Sequence, residues 1–223
     1  MKTNSELQKD VQDAIYWSPS LDSAEIGVTA ENGIVTLTGA VNSYFKKAEA
    51  ENAAKSVVGV SAVVEKLEVN FGDSWEKNDK EIAEVVLNAY DWHREIPKDK
   101  ITVAIENGWV TLGGEVQWNY QKDAASNVIK YIDGVKGITS NISIKSGSSD
   151  QIGQEDIENV FKRNWHLRDE DIDIVVSGPT VMLNGFVSSP YQKDEAGRIA
   201  ANAPGIEKVD NQLLVENEYE LID

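Results

Sequence analysis

The chain has no cysteine among its 223 residues, which rules out disulfide staples and thiolate metal sites. Histidine is nearly absent too, so imidazole chemistry is confined to His93 and His166. No apolar run approaches the ~20 residues that a membrane-crossing helix needs. Basic charge is scarce: 21 Lys and Arg stand against 38 Asp and Glu, a formal net charge of −17. By thirds the balance is −5 over residues 1–75 (6 basic, 11 acidic), −3 over 76–150 (9 and 12) and −9 over 151–223 (6 and 15). No third is basic, so phosphate neutralisation by a Lys/Arg surface is not the general mode of action. Nucleic acid is therefore not expected as a partner. The same balance disfavours anionic membrane, although Lys46, Lys47 and Lys55 form a small basic cluster. The first residues, Met1 to Glu6, pass into an amphipathic pattern without the apolar core of a signal peptide. The expectation is a cytoplasmic protein, periplasmic only if an export segment has been removed.

What the chain does contain is itself, three times. Glu31-Asn32-Gly33-Ile34-Val35-Thr36-Leu37-Thr38-Gly39-Ala40-Val41 returns as Glu106-Asn107-Gly108-Trp109-Val110-Thr111-Leu112-Gly113-Gly114-Glu115-Val116, an offset of 75 residues. It returns more loosely from Gly178 to Val187. Downstream, Lys47, Lys122 and Lys193 align, then Ala50, Ala125 and Ala196, then Gly59, Gly134 and Gly205. Self-similarity at a fixed period marks a repeat architecture. Three units are expected, at 1–72, 78–146 and 153–217.

Each unit reads alike. Leu7, Val11, Ala14 and Ile15 fall on one face of a first helix, as do Ile82, Val85, Val86 and Ala89, and Ile157, Val160 and Phe161. A short strand follows, with Ile26 and Val28 alternating, then Ile101 and Val103, then Ile172 and Ile174. Asn32-Gly33 and Asn107-Gly108 are type I′ hairpin signals, because both central residues need φ > 0. Ser177-Gly178-Pro179 predicts a different turn in the third unit. The second strand alternates Val35, Leu37 and Val41. A second helix carries Ala50, Ala53, Ala54 and Val57, with a glycine (Gly59, Gly134, Gly205) expected as its left-handed cap. Val60 to Val69 then reads as the final strand. The fold class is α+β: three tandem domains, each helix-strand-strand-helix-strand, with two helices on one face of a three-stranded mixed sheet.

The strand pattern V-x-L-x-G-x-V at Val35, Leu37, Gly39 and Val41, with Lys47 and Ala50 leading into the second helix and Gly59-Val60 before the last strand, resembles the BON (bacterial OsmY and nodulation) domain family. The resemblance recurs in all three units, with Ile206 replacing the valine in the third. It implies non-catalytic modules that associate with phospholipid membranes or envelope proteins, with links to osmotic stress. One family member with an extra domain senses potassium, and many members are exported.

Candidate chemistry is thin. His93 and His166, each preceded by a tryptophan, admit a shared metal or pH site, but read more simply as residues at a helix C-terminus, where a cation suits the dipole. Asp169-Glu170-Asp171-Ile172-Asp173 lacks the ligand spacing and turn glycine of an EF-hand loop, and no phosphate-cradling glycine loop with its lysine occurs. No catalytic residue, metal site or cofactor is assigned. Gly39, Gly114 and Gly185 are expected to mark a bulge or close backbone approach. Trp17, Trp92 and Trp165, ending the first helix of each unit, are expected in the core or between units. Trp75, Trp109, Trp118 and Tyr120 are the candidates for an exposed aromatic surface, since such rings suit membrane interfaces and protein partners. The functional expectation is a non-enzymatic binding or scaffolding protein for a phospholipid surface or a protein partner. The alternative is a small-ligand or cation-binding protein, such as a potassium sensor, with its site between repeats.

Overall fold

The computed structural model describes residues 2–21, 25–72, 77–145, 154–168 and 170–216. Repeat 1 runs α1 (Asn4–Tyr16), β1 (Ile26–Glu31), β2 (Ile34–Val41), α2 (Tyr44–Lys55) and β3 (Ala62–Val69). Repeat 2 runs α3 (Asp79–Trp92), β4 (Ile101–Glu106), β5 (Trp109–Val116), α4 (Asn119–Ile129), β6 (Gly137–Ser140) and β7 (Ser143–Ile144). Repeat 3 runs α5 (Gln154–Arg163), β8 (Ile172–Ser177), β9 (Thr180–Val187), α6 (Pro190–Ala201), β10 (Lys208–Asn211) and β11 (Leu214–Val215). The class is α+β in three copies, as the repeat demands.

Local chemistry starts and turns each element. Thr3 and Glu6 make a reciprocal capping box at α1, and Asn78 with Glu81 repeats it at α3, satisfying amides that have no helical acceptor. Leu7, Val11 and Ile15 bury one face of α1, and Ile82, Val86 and Tyr90 do so for α3. At the hairpins Asn32 and Gly33 take φ of 50° and 78°, and Asn107 and Gly108 take 52° and 79°, as a type I′ turn requires. In repeat 3 the positive φ falls on Gly178 alone, at 56°, followed by proline with its fixed negative φ, the sign pattern of type II′.

The middle strand of each sheet pairs antiparallel with the strand before it and parallel with the one after the second helix. In repeats 2 and 3 that last strand is split in two, where repeat 1 keeps β3 whole. Both helices lie on one sheet face, enclosing a separate buried cluster in each repeat. Gly39, Gly114 and Gly185 sit opposite the first residue of the hairpin partner, with φ of 123°, 115° and 115°. A Cβ there would stand 2.1, 2.0 and 2.0 Å from the carbonyl oxygens of Glu25, Lys100 and Asp171. These glycines serve close backbone approach. Gly59, Gly134 and Gly205 also have positive φ, yet they do not cap the helix. The caps are Ser56, Lys130 and Asn202 in right-handed conformation, and the glycines close the turn beyond.

The repeats meet through their second helices. Tyr44 of α2 packs against the repeat 2 core and meets the backbone of Ile138, while Phe45 stacks on Tyr131 with centroids 4.7 Å apart. Asn119 Nδ2 of α4 donates to Asn202 Oδ1 at 3.2 Å. Lys55 Nζ of α2 lies 3.0 Å from an Asp194 carboxylate oxygen of α6.

Candidate functional site

The described aromatic candidates, Trp109, Trp118 and Tyr120, do not gather into one patch. Trp109 opens β5 beside the hairpin turn and is 48% exposed. Its ring is held flat: a Cβ on Gly137 would come within 2.5 Å of it, and Nε1 donates to Thr139 Oγ1 at 3.0 Å. Tyr120 is 49% exposed in the first turn of α4, and Trp118 is half-buried as that helix's N-cap residue, its N–H donating to Gln121 Oε1 at 3.1 Å. The length of β5 separates Trp109 from this pair by roughly 25 Å at the usual rise per residue. Trp75 lies outside the described residues.

The tryptophans expected in the core or between units are instead the most exposed large hydrophobic side chains among the described residues: Trp17 at 78%, Trp92 at 86% and Trp165 at 73%. The correction follows from helix geometry. The buried stripe of α1 ends at Ile15 and that of α3 at Tyr90. A residue two positions later is turned about 200° around the axis, which points Trp17 and Trp92 at solvent. In repeat 3, α5 ends at Arg163, and Leu167 takes the buried place beyond it while Trp165 stays outside. Counting the apolar stripe to its last member would have found this for Trp17 and Trp92, whereas in repeat 3 the same spacing from Ile157 and Phe161 lands on Trp165 itself, which is exposed because α5 ends at Arg163. Tyr16 meets Trp17 edge-on at 5.8 Å, and the Trp165 ring lies against His166 at 3.4 Å. Each repeat thus shows an indole at the same end of its first helix.

Several titratable groups are held in structural contacts. Tyr90 is buried, donates to the Ala125 carbonyl at 3.1 Å and is pushed above the usual tyrosine range by that burial. Lys47 reaches the Leu67 carbonyl and the Glu65 carboxylate, both at 2.8 Å. Burial raises Asp123 against the opposing charge of Arg198, and the Arg198 hydrogen bond holds Glu195 below its ordinary value. His93 is an exposed helix cap and His166 belongs to the Trp165 contact. Asp171 and Asp173 face solvent, and Asp169 lies outside the described residues. Among the described residues no three His, Cys, Asp or Glu side chains group as metal ligands, and no helix is long and apolar enough to cross a membrane.

Two of the described clefts are built on structural contacts as well. One of about 360 Å³ between the start of α3 and the β4–β5 turn includes Lys77, Asp79, Asn107 and Lys136. The Asp79 carboxylate already accepts from the N–H groups of Asn107 and Gly108, each at 2.8 Å. Asn4 does the same for Asn32 in repeat 1, at 3.0 Å. The first helix residue clamps the hairpin turn, leaving those amides no ligand to bind.

The chain belongs to the BON domain family, whose model matches residues 3–70, 78–146 and 149–217. It is similar to Osmotically-inducible protein Y of Escherichia coli (strain K12), at 29% identity over 148 residues, 64% of this chain and 73% of that one. Two solved structures of CdsD, a structural protein of the type III secretion system of Chlamydia trachomatis, are also similar. The first, of its C-terminal domain, is 14% identical over 96% of this chain and 100% of its own, with a TM-score of 0.26. The second is 13% identical over 93% and 91%, again with a TM-score of 0.26.

Proposed function

We propose that this BON-domain chain is a non-enzymatic protein of the osmotic-stress response that associates with phospholipid surfaces through Trp17, Trp92 and Trp165. The observation that carries the reading is a solvent-exposed indole at or just past the C-terminal end of the first helix in each of the three repeats. An exposed tryptophan has no role in the core of its own repeat. Its apolar ring and polar N–H suit the headgroup level of a bilayer, where tryptophan is enriched. Three such contacts on one chain multiply, because after the first the others bind at high effective concentration. Family membership supports a binding module, and likeness to Osmotically-inducible protein Y supports the stress context. The net charge of −17 opposes anionic lipid, so the contact is with zwitterionic headgroups and resists salt.

The test is sedimentation with phosphatidylcholine vesicles at low and high salt, comparing the chain with a variant carrying Trp17→Ala, Trp92→Ala and Trp165→Ala. Pelleting at both salt concentrations that the triple variant loses is the expected outcome. No pelleting in any condition would remove the lipid reading. Capture of a protein partner dependent on the same tryptophans would replace lipid with protein. Pelleting unchanged by the triple variant, but lost when Trp109 and Tyr120 become Ala, would move the contact to repeat 2.

A further inference from the structure

The contacts between repeats are one contact made three times. Aligned on Lys47, Lys122 and Lys193, the positions of Tyr44 and Asn119 are equivalent, as are those of Asp123 and Asp194. At the other end of the second helix, Tyr131 is equivalent to Asn202, and Lys55 falls one residue earlier in the same turn. Phe45, beside Tyr44, stacks on Tyr131; Asn119 bonds Asn202; Asp194 meets Lys55. In each junction the first turns of one second helix touch the C-terminal end of the next, at or just past its last turn. The order is repeat 1 to 2, 2 to 3, and 3 back to 1. A head-to-tail contact that returns to its starting subunit closes a ring and leaves no free end.

The three junctions differ in chemistry. The first is aromatic, with Tyr44 built into the neighbouring core. The second joins two neutral amides and sets Asp123 opposite Arg198. The third, between α2 and α6, centres on Lys55, which holds Asp194 and its own Glu51 at 3.0 Å each. Repeat 3 therefore touches both neighbours through polar and charged groups, whereas repeats 1 and 2 share an apolar contact.

We infer that the second helix of each repeat is a head-to-tail docking surface for the second helix of another, that the chain closes on itself as a three-membered ring, and that the junction between repeats 3 and 1 is the one opened by salt. Screening shortens from about 10 Å at 0.1 M salt to about 3 Å at 1 M, which weakens attraction between part-exposed charges and leaves stacked rings in place. The inference rests on contacts between repeats alone and is independent of the lipid reading.

Small-angle scattering of the full chain tests it, because a closed, compact chain of this length has a radius of gyration of about 17 Å. In 50 mM salt the chain is expected near that value, Asp194→Lys well above it, and the double reversal Lys55→Glu with Asp194→Lys back near it. Raising NaCl to 1 M is expected to expand the unaltered chain. An unaltered chain already expanded in low salt overturns the ring. A compact Asp194→Lys variant, or a double reversal that stays open, overturns the Lys55–Asp194 closure. Compactness at both salt concentrations overturns opening by salt.

Discussion

Repeats 1 and 3 bury the same residues behind different surfaces. Val35 and Val181, Leu37 and Leu183, Ala50 and Ala196, and Ala54 and Ala200 are all fully buried, and Gly39 and Gly185 share one backbone conformation. Outside, the two part company. The open sheet face of repeat 1 shows Thr29, Thr38 and Lys66, with Ile34 and Val64 as its apolar members, whereas repeat 3 shows Val175, Met182, Phe186 and Leu214. The first and last thirds of the chain carry −5 and −9. Positions that recur because they are buried describe the fold. A feature that recurs while exposed has another cause, and the indole near the end of each first helix is such a feature.

The comparison breaks most visibly at the shared glycine. Gly39→Ala and Gly185→Ala each drive a Cβ to about 2 Å from a backbone carbonyl oxygen, at a φ that L-residues avoid. Strain and overlap together are expected to cost on the order of 3 kcal/mol or more in either repeat, read as a lower urea midpoint. If one repeat tolerated alanine, the two backbones would not be equivalent.

Those glycines were legible in sequence, and so were the hairpins at Asn32-Gly33 and Asn107-Gly108, because a positive φ leaves a residue signature. The core was legible for a similar reason: Leu7, Val11 and Ile15 keep a helical period that only a buried face explains. Trp17 and Trp92 were misread because hydrophobicity was weighed without the angle at which each leaves the helix. The junctions between repeats were illegible. Tyr44, Asn119 and Pro190 occupy one position with three chemistries, so no recurrence betrays a shared contact. The split of the last strand in repeats 2 and 3 left no signal that we can identify.

A smaller difference separates the helix caps. Ser43 Oγ accepts from Lys46 N–H at 3.3 Å in a half-buried position, while Ser189 is buried, accepts from Gln192 N–H at 3.3 Å and also bonds the Gln192 side chain. Removing an N-cap hydroxyl typically costs about 1 kcal/mol, and burial of the orphaned groups adds to it. Ser43→Ala is expected to lose about 0.5–1 kcal/mol and Ser189→Ala about 1–2 kcal/mol by denaturant titration. Equal losses would show that burial of the cap does not matter.

Acid should then discriminate repeat 3 more weakly. Glu195 is held below its ordinary 4.5 by the Arg198 hydrogen bond. A carboxyl depressed in the folded state contributes stability that is present above its unfolded value and lost as pH falls through the folded one. Asp123 has the opposite sign, since burial raises it and protonation relieves that cost. Glu195→Gln is therefore expected to flatten the loss of stability below pH 4.5. The effect is under about 1 kcal/mol because the pair is part-exposed. A variant that denatured as steeply in acid as the parent would place the sensitivity elsewhere.

The smallest effect on stability is expected where we place the function. Trp17 and Trp165 are mostly exposed, and surface substitutions of this kind change stability within about 0.5 kcal/mol. Trp17→Ala removes one edge contact with Tyr16, whereas Trp165→Ala removes a closer one with His166, whose ring also meets Tyr191 of α6 at 5.1 Å. Repeat 3 should therefore lose slightly more, visible as a small shift in thermal midpoint, and neither repeat should unfold. A loss above about 2 kcal/mol at either site would mean that the indole packs against its own repeat, and its recurrence would then belong with the core columns. Near-neutral stability together with lost vesicle binding would separate the two kinds of recurrence, one kept by packing and the other by a surface outside the chain.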